Sequence, residues 1–221
     1  MLKKIDINFN MFTYKVNMSF KLREQINEIT AQISKLEKER NELQQRLEFI
    51  PFYELVIGNI MDTPAQVIVH QCHCYHTNGS AKGLALTIFS KYPLANVYKD
   101  RTESSNPGTI VLKKTGVSGK YICNMFAQYY STKASTRNED TSTNRVMWFK
   151  QCLEKLGNIK GIKSVSFPYC IGCGLAGGNW SIYEKLINDF AKTYQYINVS
   201  VYKLSSCNDE KQKQPILSKE E

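Results

Sequence analysis

No glycine and no proline occurs before Pro51. These two residues break helices most strongly. A helix can therefore run unbroken from Phe20 to Ile50, and it must close at Pro51. Leu22, Ile29, Leu36, Leu43 and Ile50 recur every seven residues, and Ile26, Ile33 and Leu47 fill a second position of the same repeat, which Arg40 interrupts. Four such heptads predict a coiled-coil helix over residues 20–50, preceded by an N-terminal tail, residues 1–19. A helix that covers its own domain shows a wider apolar stripe. The narrow seam instead favours a homo-oligomer through residues 20–50. β-branched Ile at one seam position with Leu at the other favours a parallel pair. The flanking positions are mostly Gln, Thr and Glu, so charge pairing leaves trimers and antiparallel pairs open.

After Pro51 the pattern changes. Short β-rich runs lie at Tyr53–Ile57, Val67–His70, Thr109–Leu112, Tyr121–Phe126, Ser164–Pro168 and Ile197–Leu204. Helical stretches fall between them, at Gly83–Tyr92, Thr143–Leu156 and Trp180–Tyr194. Strands alternating with helices predict an α/β domain over residues 51–204 with a mostly parallel sheet. Residues 205–221 are polar and charged and read as a flexible C-terminal tail.

Charge is concentrated in that domain. The chain of 221 residues carries 29 Lys+Arg against 20 Asp+Glu, a formal +9. Residues 51–204 hold 17 basic and 9 acidic residues, which is +8 of that total. The excess argues for an anionic partner. No run of about 18 apolar residues exists, so no membrane span is expected. The stretch Met1–Asn10 lacks the apolar core of a secretory signal. Seven cysteines, an odd number, then read as reduced thiols in a cytoplasmic or nuclear protein rather than a secreted one.

Two strand-to-helix loops carry the chemistry. The first runs His70-Gln71-Cys72-His73-Cys74-Tyr75-His76-Thr77-Asn78-Gly79-Ser80-Ala81-Lys82-Gly83 and holds all three histidines. The second runs from Pro168 through Cys170, Gly172, Cys173, Gly174, Gly177 and Gly178 to Trp180. Glycine-rich turns before helix N-termini present N–H groups and partial positive charge, so a pair of them could hold a diphosphate. Neither contains the P-loop pattern or the dinucleotide pattern G-x-G-x-x-G. The C-x-x-C spacing of Cys170 and Cys173 suits zinc. A strand end and a glycine turn suit small buried thiols better, and neither metal nor cofactor is expected.

In this order the two loops resemble a macro domain, the ADP-ribose-binding fold, over about residues 52–204. Val56-Ile57-Gly58-Asn59-Ile60 resembles the family's opening strand and turn. Ile68 to Leu84 resembles its first binding loop, and Phe167 to Trp180 its phosphate loop. The Gly172-Cys173-Gly174-Leu175 stretch is similar to the branch of the terminal ADP-ribose protein glycohydrolase. His70-x-Cys72-x-Cys74 and Lys91-Tyr92-Pro93 are more similar to the ADP-ribose-1″-phosphate phosphatase branch. The resemblance implies a three-layer α/β/α sandwich with a mostly parallel mixed sheet. It also implies a cleft for ADP-ribose or an ADP-ribosylated substrate. Asn59 and Ile60 would meet the adenine. Gly79, Lys82, Gly83 and Leu84 on one side, with Gly172, Cys173, Gly174, Leu175, Ala176 and Gly177 on the other, would wrap the diphosphate. Asn124 and Gln128 would orient ribose hydroxyls or a water.

The catalytic Lys and Asp of the glycohydrolase branch correspond to Gln128 and Ala176, which cannot do that work. The strand-end His of the phosphatase branch corresponds to His70, and His73 falls near the distal ribose. An imidazole of ordinary pKa suits general-base chemistry there. The leading reading is thus a hydrolase acting at the distal ribose, on ADP-ribose-1″-phosphate or ADP-ribosylated protein. The alternative is a non-catalytic ADP-ribose reader dimerised by its coil. A third reading is nucleic-acid binding through Tyr129, Tyr130 and Lys133, which the acids of the Ser131–Asn144 loop weaken.

Overall fold

The computed structural model describes residues 2–48, 50–76, 81–99 and 101–205, with side chains of the first helix described over 18–44. It divides into two units, Met1–Pro51 and Phe52–Glu221. The first is the helix α1, Leu2–Glu48. It begins well before the expected start at Phe20, because nothing in residues 1–19 breaks a helix. The heptad seam marks only its C-terminal part. No described helix is long and apolar enough to cross a membrane.

The second unit holds β1 (Glu54–Ile57), β2 (Val67–His73), α2 (Leu84–Lys91), β3 (Thr109–Lys114), β4 (Tyr121–Gln128), α3 (Ser142–Gly157), β5 (Ser164–Pro168), α4 (Trp180–Thr193) and β6 (Asn198–Lys203). The sheet order is β1-β6-β5-β2-β4-β3. All pairings are parallel except β3 with β4, at one edge. The helices start at chemically sensible points. The Thr141 side chain accepts from the N–H of Asn144 to open α3, and Asn179 accepts from Ser181 to open α4. Gly83, at φ +57°, opens α2 with no side-chain cap.

Alternation along β2 builds the two faces. Val67 and Val69 pack with Phe149 and Leu153 of α3 and Tyr183 and Ile187 of α4. Ile68 and Cys72 pack with Ile88 and Phe89 of α2. Both faces of the sheet are therefore covered, and the unit is a three-layer α/β/α sandwich. This is why β2 reads as a nearly continuous apolar run. Helix α2, which follows β2, lies on one face, and α4, which follows the neighbouring β5, lies on the other. Such a switch point opens a crevice at the strands' C-terminal ends.

Candidate functional site

That crevice is a cavity of about 380 Å³, lined from β2 by His70, Gln71 and His73 and from the start of α2 by Lys82, Gly83, Leu84 and Ala85. Tyr98, Gln128 and Ser131 complete one wall, and Pro168 to Gly172 with Gly174, Leu175 and Ala176 form the other. Among the described residues no carboxylate lines it.

The two histidines are held in defined tautomers. His70 is only 1% exposed. Its Nε2 lies 2.7 Å from Asn124 Oδ1. The Asn124 amide cannot be flipped, because its Nδ2 donates to the carbonyls of Val111 (3.2 Å) and Ala95 (3.4 Å). Oδ1 therefore accepts, His70 Nε2 carries the proton, and Nδ1 keeps the lone pair. Burial lowers the His70 pKa from 6.5 to about 4, against the opposing pull of the Asn124 bond.

His73 is arranged the other way round. The register of β2 on β4 shifts between Cys72 and His73, which breaks the strict alternation of a strand. Its ring stacks on Tyr98, with centroids 4.3 Å apart. Its Nδ1 lies 3.0 Å from the carbonyl oxygen of Tyr75, which can only accept. Nδ1 is therefore the protonated nitrogen. Nε2 holds the lone pair and has no hydrogen-bond partner among the described residues. Arg101 donates to the carbonyls of His73 (3.2 Å) and Tyr75, and lies 5.1 Å over the Tyr98 ring. Burial first, then the Arg101 charge, lowers His73 to about 4. Both imidazoles are neutral at physiological pH, and both are weaker bases than the imidazole of ordinary pKa that the sequence led us to expect, because burial disfavours their charged form.

Backbone N–H groups supply the electropositive part. The second loop is braced internally, with Cys173 N donating to Cys170 O (3.0 Å), Gly177 N to Gly174 O (3.1 Å) and Gly178 N to Gly172 O (2.9 Å). These bonds leave the consecutive N–H groups of Gly174, Leu175 and Ala176 without a protein acceptor among the described residues. The first N–H groups of α2, at Leu84 and Ala85, are likewise uncommitted. Two sets of open donors thus border one cavity, the arrangement that takes an anion.

Polar side chains tie the walls together. Gln71 Nε2 donates to Gln128 Oε1 (2.6 Å), and Gln128 Nε2 to the carbonyl of Tyr130 (2.9 Å). Gln71 Oε1 is buried, with no hydrogen-bond partner among the described residues. Behind the second loop, the buried Arg145 bonds both oxygens of Asp140 and reaches the carbonyl of Ala176.

The expected site residues divide accordingly. His70, His73, Lys82, Gly83, Leu84, Gln128, Gly172, Gly174, Leu175 and Ala176 converge on the cavity. Cys173 and Gly177 belong to the second loop without lining it. Burial pushes the Cys173 thiol up to about 12, so it is not a thiolate. Asn124 lies behind the cavity and fixes His70. Asn59 and Ile60 sit at the β1 end, outside the lining, where the Asn59 side chain accepts from the N–H of Met61 (3.0 Å). Gly79 lies outside the described residues. Among the described residues no three His, Cys, Asp or Glu side chains converge as metal ligands. Tyr129 and Tyr130 pack against each other and against Tyr75. Sequence reasoning missed Gln71, Tyr98, Arg101, Asp140 and Arg145. Tyr98 and Arg101 follow α2 in a polar stretch with no motif to mark them.

A mixed six-stranded sheet between helical layers, with an anion-accepting crevice at its switch point, defines a three-layer α/β/α sandwich. More narrowly, residues 52–205 have the macro-domain fold. Solved structures similar to the chain include a protein of unknown function from Bacteroides thetaiotaomicron, at 27% identity over 68% of this chain and 96% of that one, TM-score 0.55. The macrodomain of Thermus aquaticus DarG is similar at 20% identity, over 68% and 97% of the two chains, TM-score 0.53. The Trypanosoma brucei macrodomain, solved in complex with ADP-ribose, is similar at 12% identity over 68% and 62%, TM-score 0.50. No family model and no curated protein matches the sequence.

Proposed function

We propose that the cleft binds ADP-ribose and hydrolyses an ester or phosphate bond at its distal ribose. The observation that carries this reading is the pairing of two donor-rich loops with two neutral histidines in one cavity. The open N–H groups of residues 174–176 and of the α2 start take the diphosphate. The distal ribose then lies against His73, with His70 and Gln71 in the wall behind it. One similar fold, that of Trypanosoma brucei, was solved holding ADP-ribose, which supports the ligand class.

His73 is the base in this reading. Its Nε2 lone pair takes a proton from water as the water oxygen bonds to phosphorus or to the ester carbon. The same proton passes to the departing ribose oxygen, and the products are ADP-ribose and phosphate or a free carboxylate. His70, with Nε2 tied to Asn124, holds the neighbouring wall. Gln128 and Ala176 offer neither a nucleophile nor an ionisable group, so this route uses water rather than a covalent intermediate.

The test is a titration calorimetry experiment with ADP-ribose, paired with turnover of ADP-ribose-1″-phosphate and of ADP-ribosylated protein. Binding with turnover of either substrate is the expected result. Binding without turnover overturns the hydrolase and leaves a reader. Absence of binding overturns the ligand.

A further inference from the structure

Helix α1 leaves the apolar seam among its described side chains exposed. Every residue from Met18 to Gln44 is exposed, and the seam residues Leu22, Ile26, Ile29, Ile33, Leu36 and Leu43 are 51–63% exposed. A lone helix is marginal in water, because most helical stability in proteins comes from packing an apolar face. Something must cover this one.

The period of the seam identifies the occupant's shape. On a straight helix a strict seven-residue repeat drifts about 20° per heptad, or about 80° over four heptads. Such a stripe cannot stay on a flat domain surface. It stays on one line only when two helices supercoil around each other.

The chemistry of the seam identifies the occupant itself. With Leu22, Ile29, Leu36 and Leu43 at d, the a positions are Ile26, Ile33 and Arg40. One charged layer interrupts an otherwise apolar seam. In a parallel, in-register pair of identical helices both arginines share that single layer. Each a residue then lies beside the g residue of the facing helix, which here is Glu39. Each guanidinium can therefore snorkel outward to the partner's Glu39. A shift of one heptad, or an antiparallel pair, puts each arginine against an apolar layer and spoils two layers instead of one. A trimer gathers three arginines in one layer.

We infer that α1 pairs two copies of this chain as a parallel, in-register coiled coil, with Arg40 and Glu39 setting the register. Each pair then carries two copies of the second unit, joined to the same end of the coil through Ile50 and Pro51. Two ligand sites on one particle raise the effective concentration for a target that bears more than one ligand group. The pairing itself does not depend on what the cleft binds.

The test uses the full chain. Analytical ultracentrifugation at micromolar concentration is expected to give twice the chain mass. Ile29→Asp combined with Ile33→Asp is expected to give monomers whose second unit unfolds at the wild-type midpoint. Residues 1–50 contain no cysteine, so Leu22→Cys reports orientation directly. Oxidation should link position 22 to position 22 of the other copy, read from the cross-linked peptide. Glu39→Lys should weaken the dimer at least tenfold, and Arg40→Leu should strengthen it at least tenfold. A monomeric or trimeric wild type overturns the proposal. A dimer whose position 22 does not link to itself overturns the parallel register, and an unchanged Glu39→Lys dimer overturns the role of that pair.

Discussion

Arg145 and Asp140 form a buried ion pair, with Nε–Oδ1 at 2.7 Å and Nη2–Oδ2 at 2.5 Å and the side chains 3% and 0% exposed. The pair joins two loops of the site. Asp140 also accepts from the N–H groups of Tyr129 (2.9 Å) and Tyr130 (3.0 Å), while Arg145 donates to the carbonyl of Ala176 (3.1 Å). Removing one partner leaves an uncompensated buried charge, which typically costs about 3–5 kcal/mol. Asp140→Asn and Arg145→Met are each expected to destabilise the second unit by about that amount in urea unfolding. The double variant should cost less than the two single costs combined, because the interaction is lost only once. Costs that simply add would show that the two side chains act separately.

The histidines make stability depend on pH. In the unfolded chain a histidine takes up its proton near 6.5, whereas folded His70 and His73 do so only near 4. Between those values the unfolded state binds more protons, so stability rises with pH. The contribution is complete above about 6.5 and is lost as pH falls towards 4. For the fully buried His70, the loss from pH 7 to pH 5 is roughly 2 kcal/mol, and His73 acts in the same direction. Urea midpoints measured across this window should fall steadily as the solution is acidified. A flat profile would show that neither ring is buried neutral.

Much of this architecture was legible in the sequence, and the exceptions have physical causes. β5 is bounded by the residues expected, Ser164 and Pro168, because a compact apolar run sits between polar turns. The N-terminal helix extends to Leu2, beyond the expected start at Phe20. Asn8 and Lys15 fall where the seam would need apolar residues, so the repeat fades while the helix continues. The two loops of the cleft were visible through their glycines and histidines. Asp140 and Arg145 were not, since an acid and a base in a polar loop read as solvated. Only the approach of two loops distant in sequence buries them. Asn59, singled out by resemblance, uses its side chain to cap its own turn by accepting from the N–H of Met61.

His73 separates chemistry from binding. Its Nε2 is the unpartnered ring nitrogen, and general-base catalysis typically contributes 10²–10⁴-fold. His73→Ala is expected to lower kcat for ADP-ribose-1″-phosphate by about 10²-fold while ADP-ribose affinity changes only a few-fold. Asn124→Ala acts differently, by releasing the His70 tautomer and leaving a void behind the cavity. It should lower stability as well as rate. Steady-state kinetics beside calorimetry distinguishes the two, and an undiminished kcat in His73→Ala removes that residue from the mechanism.

Gly178 tests whether the shape of the second loop is what holds the diphosphate. A Cβ at this position would lie 2.7 Å from the carbonyl oxygen of Gly172 and 2.9 Å from the Tyr183 ring. The first contact is backbone and cannot rotate away. The bond from Gly178 N to Gly172 O, which closes the loop, must therefore lengthen or break. Gly178→Ala should spread the loop and misplace the N–H groups of Gly174, Leu175 and Ala176. The expected result is a loss of ADP-ribose affinity of about tenfold or more, equivalent to about 1.4 kcal/mol. Calorimetric titration measures it, with the urea midpoint confirming that the second unit remains folded. Unchanged affinity in a folded Gly178→Ala protein would show that the ligand does not depend on this loop.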